Sequence, residues 1–262
     1  MSSRMPALFV GHGSPMNALE DNAFTKVWRD LAARIAKPKA IVCISAHWQT
    51  QGVGVTGSAK PETIHDFRGF PPELEKVQYP ARGHTQLATQ IAKLLPLAKA
   101  QLYPQRGLDH GVWSVLAHMY PKADVPVVQL SLAFDQKPSF HYSLGRQLTP
   151  LRDAGVLILG SGNIVHNLSL MRPDSKDVPK WANHINELVK NKIESRDHRA
   201  LIEFESLDLD VRLAVPTDEH YLPLLYVLGL QDPSESATFF NDKIVMGSIG
   251  MTGVAIGMSA GA

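Results

Sequence analysis

The sequence predicts an α/β fold: a single domain on a central, mostly parallel or mixed sheet, with helices on both faces. Three observations predict it. Short apolar runs at Ala7–Val10, Ala40–Ala46, Val125–Leu132 and Gly155–Ser161 have the length of buried strands. Between them lie longer segments whose apolar residues recur at helical spacing, the alternation of a largely parallel sheet covered on both sides. No linker or charge block divides the 262 residues, which suffice for one sizeable core, so one domain spanning 1–262 is expected.

The first run stops at Gly11-His12-Gly13, placing His12 at a strand tip. Glycine on either side removes Cβ bulk and permits unusual backbone angles, so the imidazole can sit where main chain must also approach. Ser14 suits a turn or cap. A helix is predicted over Asn17–Ile35 from Leu19, Val27, Leu31 and Ile35, and the strand through Ala46 then runs into His47. Gln51–Pro80 is rich in Gly and Pro and reads as irregular. Long irregular segments tend to be lids or binding loops. His65, Phe67 and Phe70 are therefore candidates for a pocket wall, with Trp48 as a further one and Arg68 as a partner for a substrate carboxylate.

Helix resumes at Thr85–Leu95, and Asp109-His110 opens another that runs through His118. After the strand at Val125–Leu132 come a helix over Ser139–Asp153, a strand over Gly155–Ser161 that leads through Asn163 to His166, and an amphipathic helix over Trp181–Ile193. In Pro216–Gly229, Thr217 is the expected N-cap, Asp218 and Glu219 suit the positive helix end, and Gly229 suits the stop. That places His220 in the first turn. The uncharged stretch Ile244–Ala262 has glycines that fit short strands and a loose tail better than a bilayer helix. His84, His141, His184 and His198 are expected at the surface, and His118 packed or solvated.

A formal charge of +1, from 26 basic and 25 acidic residues, gives no electrostatic case for nucleic acid or an anionic membrane. The single cysteine, Cys43, excludes an internal disulfide, and the apolar run after Met1–Pro6 is too short for a secretory signal core, so a reduced cytoplasmic setting is expected. Gly11-His12-Gly13 and Gly160-Ser161-Gly162 both follow strands, but Met16 and Val165 replace the third glycine of a dinucleotide fingerprint. Pro15 likewise breaks the nucleophile-elbow pattern of a serine hydrolase.

Strand followed by histidine, three times over, suggests a shared ligand. Neutral imidazoles coordinate zinc, iron, copper and nickel, and an all-nitrogen site leaves the ion's full charge available to polarise a bound molecule. The chain has no HExxH and no CxxC, so a metal site must be assembled from distant loops, and with 11 histidines some fall in loops by chance. Residue pattern alone leaves a shared metal and unconnected loop histidines both open.

Six stretches, in order, carry a resemblance: Gly-His-Gly-Ser-Pro-Met at 11–16, Ser-Ala-His-Trp at 45–48, Ile-His-Asp-Phe at 64–67, Asp-His-Gly at 109–111, Ser-Gly-Asn-Ile-Val-His-Asn at 161–167 and Pro-Thr-Asp-Glu-His-Tyr-Leu-Pro-Leu-Leu-Tyr at 216–226. Together they resemble the 4,5-DOPA extradiol dioxygenase family, within the aromatic ring-opening superfamily that includes the catalytic subunit of protocatechuate 4,5-dioxygenase. The resemblance implies a divalent metal held by His12, His47 and His220, with His166 as fourth ligand or as acid/base. It implies that His110 contacts substrate or dioxygen. Ferrous iron is the metal expected for catalysis, and zinc is expected to compete in the isolated protein. The partners implied are a small catechol such as L-DOPA and O2, giving a ring-opened muconate semialdehyde without nicotinamide or flavin. Protocatechuate-type relatives supply a carboxylate as third ligand; here His220 is in register and Glu219 is its neighbour. Two rivals use the same residues: a zinc-dependent hydrolase, and a non-catalytic metal-binding protein with a closed shell. Oligomeric state is not legible.

Overall fold

The computed structural model describes residues 4–173, 175 and 177–258. Among these, the strands are β1 (Ala7–Gly11), β2 (Ala40–Thr50), β3 (Gly54–Thr56), β4 (Gln101–Tyr103), β5 (Val127–Ala133), β6 (Val156–Gly162), β7 (Ala237–Phe240), β8 (Ile244–Val245), β9 (Ile249–Gly250) and β10 (Gly253–Ile256). Eight form one sheet in the order β4-β3-β5-β2-β6-β1-β10-β7, and β8 pairs with β9 separately. The middle four, β5-β2-β6-β1, are parallel, whereas β10 and β7 add antiparallel at one side. This is the mixed, mostly parallel sheet the sequence predicts.

The central strands are apolar on both sides because the pleat sends successive residues to opposite faces. Phe9, Val42, Ile44 and Ile158 join one hydrophobic cluster, with the helices Thr85–Leu94, Pro138–Gln147, Lys180–Glu194 and Leu222–Gly229. Leu8, Val10, Ile41, Cys43 and Leu159 join the other, with Trp28 of the helix Ala23–Arg34 and Trp113 of the helix His110–Met119. Both clusters share the one sheet, so the described residues form one domain. No helix among them is long and apolar enough to cross a membrane.

Several elements differ from expectation. The helix predicted over Asn17–Ile35 is two pieces: a 3-10 turn, Pro15–Ala18, and the helix Ala23–Arg34. Asn22 starts the second, accepting from Phe24 and Thr25 backbone N–H while Thr25 Oγ1 accepts from its own, a reciprocal cap worth about 1 kcal/mol. The predicted helix Ser139–Asp153 breaks between Gln147 and Thr149, just before Pro150, which cannot donate to the helical ladder. The irregular region 51–80 contains β3, whose three residues are too few to show a period. Of the C-terminal stretch, β8, β9 and β10 are the expected short strands, and residues 259–262 of the expected tail lie outside the described residues.

The topology concentrates the candidate histidines. β2, β6 and β1 are neighbours, so the loops at their carboxyl ends converge, the usual location of ligands in open α/β sheets. β2 bulges on the way: Ile44 faces Leu130 but Gln49 faces Leu132, so β2 holds three more residues than β5 there, and His47 lies within the irregularity. Bulges of this kind re-aim side chains.

Candidate metal centre

His12 leaves β1 with its backbone N–H donating to Gly162 O of β6 at 3.1 Å. Gly13 then takes a positive φ of 62°, which a glycine adopts without Cβ strain. Ser14 caps the following turn, accepting from Met16 N–H at 3.2 Å, as expected. On the next strand, Gly162 approaches the loop that carries His220 so closely that a Cβ there would stand 2.1 Å from His220 O. Asn163 N–H donates to that same carbonyl at 2.8 Å, tying β6 to the His220 loop.

His220 does not occupy the first turn of a helix, and Thr217 is not an N-cap. Thr217 Oγ1 donates to Glu219 Oε1 at 2.9 Å instead of accepting from backbone, and the helix begins only at Leu222. His220 sits in the preceding turn, where Asp218 O accepts from both Tyr221 and Leu222 N–H at 2.9 Å.

Five imidazoles meet here. Ring centroids lie 4.9 Å apart for His12–His47, 5.3 Å for His12–His220, 4.9 Å for His47–His220, 3.9 Å for His47–His110 and 3.5 Å for His166–His220. Nitrogens of His12, His47 and His220 all fall within 4.8 Å of one another. His166 is stacked on His220 at an interplanar angle of 7°. A nitrogen of His166 lies within 4.8 Å of ligand atoms of Glu219 and His220.

Hydrogen bonds fix which nitrogens are free. Ser161 Oγ donates to Gly111 O at 2.6 Å, so toward His12 Nδ1, 2.9 Å away, it acts as acceptor. His12 therefore carries its proton on Nδ1 and a lone pair on Nε2. Glu219 Oε1, a carboxylate oxygen that can only accept, lies 3.0 Å from His220 Nδ1, which leaves His220 Nε2 unprotonated, buried and without a partner. His47 Nε2 is 3.0 Å from His12 Nε2. Two ring lone pairs that close repel unless a proton or cation lies between them.

Electrostatics favour the neutral rings. Burial, then the mutual repulsion of neighbouring imidazoles, pushes His12 and His47 well below the usual histidine range. Burial also lowers His220 against the opposing pull of Glu219, and lowers His166 to about 3. Burial works against ionisation of Glu219, yet the contact with His220 outweighs it and holds the carboxyl at about 2. Neutral imidazoles with converging lone pairs, one buried without a partner, fit a divalent cation. Glu219 is already engaged as the acceptor that orients His220, the arrangement by which an outer carboxylate fixes a ligand's tautomer.

The cluster forms the floor of a cavity of about 570 Å³, within the range that takes a small organic ligand. Phe67, Phe70 and Arg68 line it as expected, with Leu168, Met171 and Ile249. Two expected wall residues lie elsewhere. His65 Nε2 meets Val77 O at 2.9 Å, and Trp48 is buried against Tyr103 and beneath the Arg106 guanidinium. His118 is taken up by Asn17 O at 2.6 Å, and His84 caps a helix by accepting from Leu87 N–H. His141, expected at the surface, is fully buried beside Tyr226, because the face of its helix that packs on the helix Leu222–Gly229 includes it. Sequence reasoning missed Ser161 and Glu219 as partners of the rings, and Asp66 as the acceptor for the His110 backbone N–H; all three stand in the motifs that carry the resemblance, but only the fold shows what they touch.

Neutral histidines gathered near the carboxyl ends of parallel strands under an apolar cavity are compatible with a divalent metal centre in an α/β enzyme. Residues 5–257 match the family described as the catalytic LigB subunit of aromatic ring-opening dioxygenase, and the chain belongs to that family. It is 46% identical to the 4,5-DOPA dioxygenase extradiol of Escherichia coli K12, over 98% of this chain and 96% of that one. Its identity to the Beta vulgaris protein of the same name is 36%, over 90% of each. A crystal structure of an uncharacterised Escherichia coli K12 protein superposes with a TM-score of 0.86 at 41% identity, covering 97% of this chain and 100% of the other. The chain is thus an aromatic ring-opening dioxygenase of the extradiol type, acting with O2 on a small molecule, which sets aside the hydrolase and the scaffold.

Proposed function

We propose that the protein opens a catechol such as L-DOPA by 4,5-cleavage, inserting both atoms of O2 to give a ring-opened muconate semialdehyde. The relatives named for this reaction support the reading. The single observation that carries it is the buried, partnerless Nε2 of His220 beside the facing Nε2 atoms of His12 and His47, beneath an apolar cavity with room for a substituted catechol.

In this reading His12, His47 and His220 hold ferrous iron, with zinc competing for the same imidazoles in purified material. The bound metal supplies a cation that brings catechol and O2 together and relays electron density between them. His166 serves as acid/base in preference to fourth ligand: lone pairs lie in the ring plane, and two rings stacked 3.5 Å apart at 7° keep theirs in separate, nearly parallel planes that do not meet at one ion. His110, which also lines the cavity, accepts a catechol proton or contacts O2. Phe67 and Phe70 flank the ring and exclude water. A reduced, cytoplasmic setting accords with the single buried Cys43.

Anaerobic reconstitution with ferrous iron, followed by air and a panel of catechols, tests the proposal. Oxygen uptake with a yellow product is expected. Neither, at verified iron occupancy, defeats it.

A further inference from the structure

One wall of the cavity is apolar and comes from two segments tied to each other. Leu168 and Met171 belong to the segment after His166, and Met246 and Ile249 to the hairpin of β8 and β9. Asn167 N–H donates to Ser248 O at 3.1 Å, Ser248 Oγ donates to Asn167 O at 2.7 Å, and Arg172 N–H donates to Met246 O at 2.8 Å. These bonds hold Leu168 and Met171 in place although the two residues are 62% and 37% exposed. Met246 is the least expected member. Ser248 N–H donates to Val245 O at 3.2 Å, closing a turn whose central residues, Met246 and Gly247, take φ of 50° and 72°. Two positive φ in succession favour Asn-Gly, because asparagine tolerates the left-handed region better than a long apolar residue does. Methionine there is a local cost, and its side chain lines the cavity. Costs of this kind collect at ligand sites.

We propose that this wall receives an uncharged, apolar arm on the substrate ring, so that the site discriminates among catechols by the apolar length of their 4-substituent. The choice of ring rests on the proposed cleavage, whereas the preference for the arm rests on the wall's own residues. The cavity, about 570 Å³, has room beyond the ring. An arm laid over Leu168 and Met171 takes apolar surface of both partners out of water. A cationic arm of equal length would lose hydration against the same wall and meet the like charge of Arg68, which lines the same cavity.

The test is calorimetric titration of zinc-loaded protein with catechol, 4-methylcatechol, 4-ethylcatechol and 4-propylcatechol, and with 4-(2-aminoethyl)catechol, which matches the propyl arm in length but ends in an ammonium. Each added carbon should lower Kd about 2- to 4-fold, and the ammonium ligand should bind about tenfold or more weakly than 4-propylcatechol. Met246→Asn suits the turn better and should not lower Tm, yet it should shrink the gain per carbon, an outcome that a purely structural role for Met246 does not give. Leu168→Asn, at an exposed position, should shrink the gain as well and decides the matter should Met246→Asn fail to fold. A flat series in the wild type, an equally steep one in both variants, or equal binding of the ammonium ligand refutes the proposal. The same ligands given to iron-loaded protein in air separate the two readings. Oxygen uptake with KM indifferent to arm length removes the wall's role and leaves ring cleavage standing; a steep binding series without oxygen uptake does the reverse. Binding of no catechol at verified zinc occupancy defeats both.

Discussion

Replacing Glu219 separates two descriptions of the centre: a carboxylate that binds the metal, or a carboxylate that orients a histidine which does. Its Oε1 lies 3.0 Å from His220 Nδ1 and 2.9 Å from Thr217 Oγ1, and the side chain is mostly buried. A hydrogen bond to a charged group in such a setting contributes about 1.5–3 kcal/mol. At about 1.4 kcal/mol per tenfold, Glu219→Ala should weaken metal binding about 10- to 100-fold, because His220 is then free to place its proton on Nε2. Glu219→Gln keeps an oxygen that can accept from Nδ1–H, so its loss should stay within about tenfold. His220→Ala removes the lone pair itself and should cost more than either. Competition against a chelator of known affinity, with zinc or anaerobic ferrous iron, measures all three. If Glu219→Gln proves as damaging as His220→Ala, the carboxylate is a ligand and the tautomer argument is wrong.

Three further outcomes are expected. Gly162→Ala would drive a Cβ to 2.1 Å from the His220 carbonyl, so urea unfolding should report a loss of about 1–3 kcal/mol or more together with lower metal retention; an unchanged midpoint would mean the two loops can part freely. Arg68 is exposed at the rim of a cavity lined by no Asp or Glu among the described residues, so Arg68→Gln should raise KM for carboxylate-bearing catechols by up to about fivefold, since an exposed ion pair is worth about 1 kcal/mol at most. Neutral catechols should be unaffected, and an equal change for both kinds would remove the assignment. Burial, only partly offset by the Ala133 backbone and Asp135, lowers His141 from 6.5 to about 4. The unfolded chain therefore gains a proton there before the folded one does, and stability present above pH 6.5 is lost as pH falls toward 4, by about 3 kcal/mol. A well-folded His141→Leu should flatten that part of the stability–pH curve, and an unaltered slope would show that the ring titrates normally.

The fold was legible where apolar runs were long enough to declare themselves. β1, β2, β5 and β6 each fill a run of five or more buried residues with few polar interruptions, and these four make the parallel centre of the sheet. β3 and β4 have three residues each and no period to read. The break after Gln147 was readable in Pro150, whereas the one before Ala23 needed the cap at Asn22 to be preferred over a continuing stripe. For the site, the position of His12 just past its strand followed from pattern, whereas His47, expected beyond a strand ending at Ala46, lies inside β2 at its bulge; the convergence of the two required the strand order β2-β6-β1, which no local signal encodes. Proton placement was least legible. It depends on Ser161 donating to Gly111 O and on Glu219 being spent on its neighbour, contacts that exist only once distant loops have met.

In the proposed site, those contacts bear on why an imidazole, with Glu219 at hand, would serve as third ligand. A carboxylate in the trio would bring a full negative charge to a bound cation, whereas three neutral rings would leave both positive charges to act on the proposed catechol and O2. Holding Glu219 one layer out would keep part of its influence, because a carboxylate on Nδ1–H would make His220 a more basic donor without neutralising an ion. Ser161, a neutral acceptor, does less for His12, so the rings are electronically unequal although all are histidines. A uniform trio seen in sequence thus becomes a graded one in the fold, and exchanging the two acceptors, charged for neutral, should alter how strongly the centre draws electron density from a catechol while leaving its geometry nearly unchanged.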